Sequence, residues 1–127
     1  MSSYGLIIDG KKVATEASFG VINPATEEIV GECAIADKAQ LDAAVDAAAR
    51  AFRSWSKVSD EERAAVCGKL AEIIGEHADE LARLLTQEQG KPLSGMGSRF
   101  ELGGAGAWAG FTGTLSLPDK VIQDDEQ

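Results

Sequence analysis

The hydrophobic positions change rhythm along the chain. Over residues 1–36 short apolar runs alternate with polar breaks: Leu6-Ile7-Ile8, then Asp9-Gly10, then Lys11-Lys12-Val13. An Asp-Gly pair between β-compatible runs signals a two-residue hairpin, because both central residues must take positive φ. Phe19 to Ile22 and Ile29 to Ile35 form a second pair of runs, joined by Asn23-Pro24-Ala25-Thr26-Glu27-Glu28. Pro24 holds Asn23 extended and starts a turn. This region therefore predicts two β-hairpins. From residue 37 the period becomes helical. Asp37 and Gln40 have the spacing of a capping box, and Leu41, Val45, Ala48, Phe52 and Trp55 recur at intervals of four, three, four and three. That is one apolar stripe on a helix over 37–57, with Asp42, Asp46, Arg50 and Arg53 on the other face.

A second helix is predicted over 59–89. Ser59 and Glu62 repeat the capping box, and Asp60 and Glu61 lie in the first turn, where the helix dipole favours anions. Val66, Leu70, Ile73, Ile74, His77, Leu81, Leu84 and Leu85 supply its apolar face, and Gly90-Lys91-Pro92 ends it. The short connection between these helices favours an antiparallel pair.

A third, glycine-rich helix is expected over 93–115. Residues 90–113 hold eight of the 14 glycines, and Gly103, Gly106, Gly110 and Gly113 fall at helical spacing on one face, with Leu102, Trp108 and Phe111 among them. A helical glycine costs about 1 kcal/mol relative to alanine. Four on one face make sense where another backbone or a ligand comes close. Residues 118–127 contain Val121-Ile122, which could start a strand, and then a polar run. The class is α+β: hairpins, a helix pair and a glycine-rich helix in a single partial domain over 1–127.

Composition narrows the functions. Twelve Lys and Arg against 21 Asp and Glu leave a net charge of −9. A chain this acidic is a poor partner for nucleic acid or for an anionic membrane surface. There is no apolar run long enough to span a bilayer and no basic n-region ahead of Tyr4, so a cytoplasmic location is expected. Two cysteines do not make a disulfide framework.

Chemistry is sparse. His77, the sole histidine, sits within the second helix and reads as a partly buried packing residue. Cys67 lies ten residues before it, too far along one helix to touch it, and Cys33 reads as a small strand residue. Gly95-Met96-Gly97 lacks the third glycine of a dinucleotide fingerprint, since Phe100 stands there. Glu27-Glu28 and Asp124-Asp125-Glu126 read as solvated surface charge. No catalytic or cofactor-binding residue emerges from these tests.

The order of Leu6-Ile7-Ile8-Asp9-Gly10-Lys11, Val21-Ile22-Asn23-Pro24-Ala25-Thr26 and Gly31-Glu32-Cys33-Ala34 resembles the start of the aldehyde dehydrogenase superfamily. So do Val45-Asp46-Ala47-Ala48, Ala51-Phe52-Arg53-Ser54-Trp55, Arg63, Leu70 and Glu88-Gln89-Gly90-Lys91-Pro92. Each block is weak alone; Asn-Pro-Ala-Thr and Gln-Gly-Lys-Pro, in this order and joined by capped helices, are specific together. The resemblance covers nearly the whole chain and points to the NAD(P)-dependent hydrolytic members.

The resemblance implies that this chain is the N-terminal shell of an α/β cofactor domain. It places the nucleophilic cysteine, glutamate base, oxyanion asparagine and cofactor turn beyond Gln127. NAD or NADP would serve the intact enzyme, with none bound to this chain, which by itself would be inactive. Residues 118–127 would begin the strand leading to the oligomerisation arm. Val21, Ile22 and Glu88 match positions that hold a monovalent cation, with Glu88 in place of the family's usual Asp. Gly104 and Trp108 match a helix lining the aldehyde tunnel, where a glycine would admit a bulky aldehyde. Helix faces made to cover a sheet imply partners: the remainder of the enzyme, other subunits, or self-association. Two readings from other classes stay open: a self-standing helical protein-binding module, and a variant that completes an enzyme supplied by another chain.

Overall fold

The computed structural model describes residues 2–116, 118 and 120–123. The fold is α+β. Two hairpins form as predicted. β2 (Leu6–Ile8) and β3 (Lys11–Val13) pair antiparallel across Asp9-Gly10, whose φ values of 53° and 72° are those the two-residue turn requires. β4 (Ala17–Ile22) and β5 (Ile29–Ile35) form the second antiparallel pair. Its turn is built on Asn23. The Asn23 side-chain oxygen accepts from the Ala25 N–H at 2.9 Å, and its carbonyl accepts from the Glu27 N–H at 2.8 Å. A strand beyond the two predicted pairs, β1 (Ser2–Tyr4), joins the far edge of β5 in parallel, giving the order β1-β5-β4.

α1 (Lys38–Trp55) begins at Asp37 with the complete capping box; the Asp37 carboxylate accepts from the Gln40 N–H at 2.7 Å, and the Gln40 side chain accepts from the Asp37 N–H at 3.0 Å. Gln40 also donates to the Ala14 carbonyl at 2.9 Å, tying the helix start to the chain between the hairpins. Ala44, Ala47, Ala48 and Ala51 line a gap of about 350 Å³ shared with Ile7 and Ile8, and Arg50 reaches Asp9 at 3.5 Å. α1 therefore lies on β2. Against the expectation of an antiparallel pair, the close helix pair is not formed by the first two helices.

That closer pair is α2 (Asp60–Glu76) with α4 (Ser98–Thr112). Progress from Gly106 to Gly113 on α4 meets α2 in reverse, from Ile74 through Ala71 to Ala64, so the two helices run antiparallel. The helix predicted over 59–89 is in fact two, α2 and α3 (Ala78–Gln89), divided at His77, whose φ of −106° and ψ of 8° leave the helical region. The apolar period runs on through His77, but Gly75 weakens the helix just before it, and Asp79 and Glu80 suit a new N-terminus. The break lets α2 and α3 both pack on α4. His77 itself is exposed, with Nδ1 3.5 Å from Glu80, rather than half-buried.

α4 starts later than the 93–115 expectation because Pro92 to Gly97 form a turn. Gly95 takes φ 66°, the Ser98 N–H donates to the Pro92 carbonyl at 2.9 Å, and a Cβ on Gly97 would lie 1.8 Å from that carbonyl oxygen. Of the segment 118–127, the described residues 118 and 120–123 form no strand, and the rest lies outside the described residues. Among the described residues no helix is long and apolar enough to cross a membrane.

The interior is small. Ala82 and Ser98 are fully enclosed where α3 meets α4, with Ser98 Oγ hydrogen-bonded to Thr86 Oγ1 at 2.8 Å, and Ala47 is buried on α1. Lys91–Glu101 at 2.6 Å and Arg99–Asp79 at 3.0 Å ring the α3–α4 junction.

Two glycines should respond oppositely to the same substitution. Gly97→Ala drives a methyl into the Pro92 carbonyl and should destabilise the chain by about 2–3 kcal/mol. Gly103→Ala meets nothing within 4 Å and should stabilise it by about 0.5–1 kcal/mol. Urea unfolding followed by circular dichroism at one fixed protein concentration checks both signs.

Candidate functional site

Two regions gather the residues singled out from the sequence. The first lies where the Asn23-Pro24 turn meets the end of α3. Gly90 caps α3 with φ 70°, and its N–H donates to the Thr86 carbonyl at 2.8 Å. A Cβ on Gly90 would stand 2.7 Å from the Pro24 ring. The two sequence blocks that carry the resemblance, Asn-Pro-Ala-Thr and Gln-Gly-Lys-Pro, thus touch. Val21 is half-buried at the end of β4, and a register shift between Val21 and Ile22 interrupts the ladder with β5 beside the turn. The Glu88 side chain, exposed on the last turn of α3, makes no hydrogen bond or ion pair among the described residues. No group of three His, Cys, Asp or Glu forms a metal cage among them either.

The second region is α4, a helix with two opposed apolar faces. Gly106, Gly110 and Gly113 face α2. Substituent positions on these glycines meet the Ile74 side chain at 3.6 Å, the Ala71 Cβ at 3.7 Å and the Ala64 carbonyl at 2.9 Å respectively. The close backbone expected along the glycine stripe is therefore α2 of the same chain; Gly103, at the far end, has open space beside it. The other face carries Gly104, Ala107, Trp108 and Phe111, which line an open apolar concavity of about 300 Å³. Trp108 is 70% exposed and stands edge-to-face with Phe111 at 6.0 Å and 84°. Such a pair holds its geometry while leaving both rings available to a neighbour. Gly104 and Trp108 are thus brought to one wall. Ala107 and Phe111 join them, and the three- and four-residue spacing of 104, 107, 108 and 111 would have revealed them as one stripe.

Neither cysteine lines the open face of α4. Cys33 is half-buried on β5, and Cys67, half-buried on α2, packs its Cβ 3.4 Å from the position of a substituent on Gly113. Among the described residues His77 is bonded to neither, and its ion-pair partner is Glu80.

The Gly90–Pro24 junction has a direct test. Gly90→Ala combines a left-handed backbone, which costs about 1–2 kcal/mol outside glycine, with overlap on Pro24. It should lower the urea midpoint, whereas Gly68→Ala, in open space on α2, should not.

Known proteins place this fold. Residues 11–113 match the aldehyde dehydrogenase family. A "probable aldehyde dehydrogenase" of a Pseudomonas species is 42% identical over 120 residues, covering 94% of this chain and 24% of that protein. Lactaldehyde dehydrogenase of Escherichia coli superposes with a TM-score of 0.89 at 26% identity, over 99% of this chain and 27% of that one. PnpE in complex with nicotinamide adenine dinucleotide superposes with a TM-score of 0.80 at 33% identity, over 87% of this chain and 23% of that one. The chain thus spans about a quarter of the length of these proteins. With its family match running from the first hairpin to the end of α4, the chain belongs to the aldehyde dehydrogenase family and corresponds to the N-terminal portion of such an enzyme.

Proposed function

We propose that this chain is the N-terminal shell of a cytoplasmic NAD(P)-dependent aldehyde dehydrogenase that oxidises an aldehyde to a carboxylate, and that it supplies one wall of the substrate passage. The observation that carries this reading is the open face of α4, where Gly104, Ala107, Trp108 and Phe111 form an apolar concavity that none of the described residues fills. A structural relative with nicotinamide adenine dinucleotide bound supports the cofactor class. Two free cysteines are compatible with a reducing compartment.

The nicotinamide, when bound in the intact enzyme, supplies a hydride acceptor. The thiolate that attacks the aldehyde and the base that directs water at the thioester are assigned to other parts of the enzyme. What this chain contributes is shape. The edge-to-face Trp108–Phe111 pair gives the passage a firm apolar side, and Gly104, lacking a side chain, leaves width for a bulky aldehyde. The rest of α4's open face docks on the remainder of the enzyme.

The turn beside Gly90 has a second role in this proposal. Carbonyls of Val21 and Ile22 with the Glu88 carboxylate would hold a monovalent cation, for which hard oxygen donors are suited. The approach of Gly90 to Pro24, which fixes the end of α3 against that turn, supports this assignment.

The purified 127-residue chain should produce no NADH or NADPH from an aldehyde panel, and neither dinucleotide should raise its melting temperature, since stabilisation requires a formed site. Turnover accompanied by acylation of Cys33 or Cys67 in the mass spectrum would refute the assignment. In the intact enzyme, Gly104→Leu should lower kcat/KM for long-chain or aromatic aldehydes by about tenfold or more and spare acetaldehyde. A preference of the unaltered enzyme for acetaldehyde would overturn the wide-passage reading.

A further inference from the structure

We propose that the Ser98–Thr86 hydroxyl pair is a positioning pair for the substrate passage: it fixes the rotation of α4 about its own axis and so sets where Gly104 and Trp108 stand. The proposal rests on reading the open face of α4 as the passage wall. The first ground is burial. Ser98 is fully enclosed, and among the described residues it is the only buried polar residue. Its Oγ lies 2.8 Å from Thr86 Oγ1 on α3, and Ala82, one turn before Thr86, is fully enclosed too. A hydrogen bond in such a place is directional, and its loss leaves a buried hydroxyl unmatched.

The second ground is the place of Ser98 on the helix. The eight residues from Ser98 to Gly106 carry the helix about 80° past two full turns, and the ten to Trp108 leave it about 80° short of three. Ser98 therefore projects between the glycine face, which meets α2, and the wall that carries Trp108. The third ground is what the other contacts leave undecided. Glycines bring no side chain to the α2 contact, so they admit the neighbouring helix without gripping it; substituents at Gly106 and Gly110 would meet Ile74 and Ala71 only at 3.6 and 3.7 Å. Lys91–Glu101 and Arg99–Asp79 are made by long side chains that can follow a turning helix. Serine and threonine reach each other through one side-chain torsion apiece, so their bond does not follow. A rotation of about 20° would carry a ring at the helix's outer radius of about 5–6 Å through about 2 Å. Misplacement by about 1 Å already costs up to about hundredfold in rate.

The test in the intact enzyme is the ratio of kcat/KM for an aromatic aldehyde to that for acetaldehyde. Thr86→Val keeps the shape and removes the hydroxyl. It should change the ratio about fivefold or more and lower the urea midpoint of the 127-residue chain, because the Ser98 hydroxyl is left unmatched. Thr86→Val with Ser98→Ala removes both hydroxyls. It should recover much of the urea midpoint yet keep the altered ratio, since the direction is still lost. Thr86→Ser should keep the ratio of the unaltered enzyme. In the 127-residue chain, with Cys33 and Cys67 replaced by alanine, nitroxide labels on Arg83→Cys and Gly104→Cys should give a distance distribution that shifts or broadens by about 2 Å in the double variant. An unchanged distribution would overturn the proposal. So would a ratio that returns with stability in the double variant, which is what a purely structural bond gives. Gly104→Leu leaves the pair intact and separates the two failures. If it alters the ratio while the pair variants do not, the positioning role is wrong; if none of them alters it, the passage reading is wrong and the proposal falls with it.

Discussion

The approach of α4 to α2 organises the helical half of this molecule. The tightest point is Gly113, where a methyl would press on the Ala64 carbonyl, whereas at Gly106 and Gly110 a methyl would make ordinary contact with Ile74 and Ala71. The approach needs α4 to be aimed correctly, and the Pro92–Ser98 turn does this through Gly97 and the bond from the Ser98 N–H to the Pro92 carbonyl. It also needs α3 to turn away from the line of α2, which the departure at His77 permits. Ser98 and Thr86 then share a hydroxyl hydrogen bond in the most enclosed part of the molecule, where an unmatched polar atom would be costly. Small residues and backbone fit thus hold together a region in which few large side chains are buried.

Using one face of α4 for this contact leaves the other face free. A helix that is apolar on both sides is ordinarily buried on both. Here one side is satisfied within the chain, and the side carrying Trp108 and Phe111 is not. This is the physical sense in which the molecule resembles a shell: its elements are formed and capped, while its large apolar surfaces face outward. Membership of the aldehyde dehydrogenase family, with the chain spanning about a quarter of its relatives, accords with that surface.

Features decided by neighbouring residues were legible in the sequence. Asp37 with Gln40 and Ser59 with Glu62 form their capping boxes, Asp9-Gly10 turns its hairpin, and Gly90 caps α3, because each depends on atoms only a few residues apart. Features decided by distant partners were not. Ser2–Tyr4 carries no strand pattern and becomes one only because β5 offers a free edge. The apolar period gives no sign of the break at His77, which becomes intelligible only once α2 and α3 are both required to reach α4. The glycine stripe asks for a neighbour, and its spacing does not say that the neighbour lies within the same chain. Of the candidate site, Gly104 and Trp108 were placed by family resemblance, while their grouping with Ala107 and Phe111 comes from the helix geometry.

The attachment of α1 has a kinetic implication. Among the described residues its footing is a row of alanines over β2, with a hydrogen bond from Gln40 and an exposed ion pair from Arg50, and exposed ion pairs hold little. An element held so lightly detaches by local opening well before global unfolding. Amide protons along α1 would then exchange ahead of those in α2 and α4, and a protease would make its first cuts there, so that the earliest event in the molecule's degradation is set by the helix with the best-formed N-terminal cap.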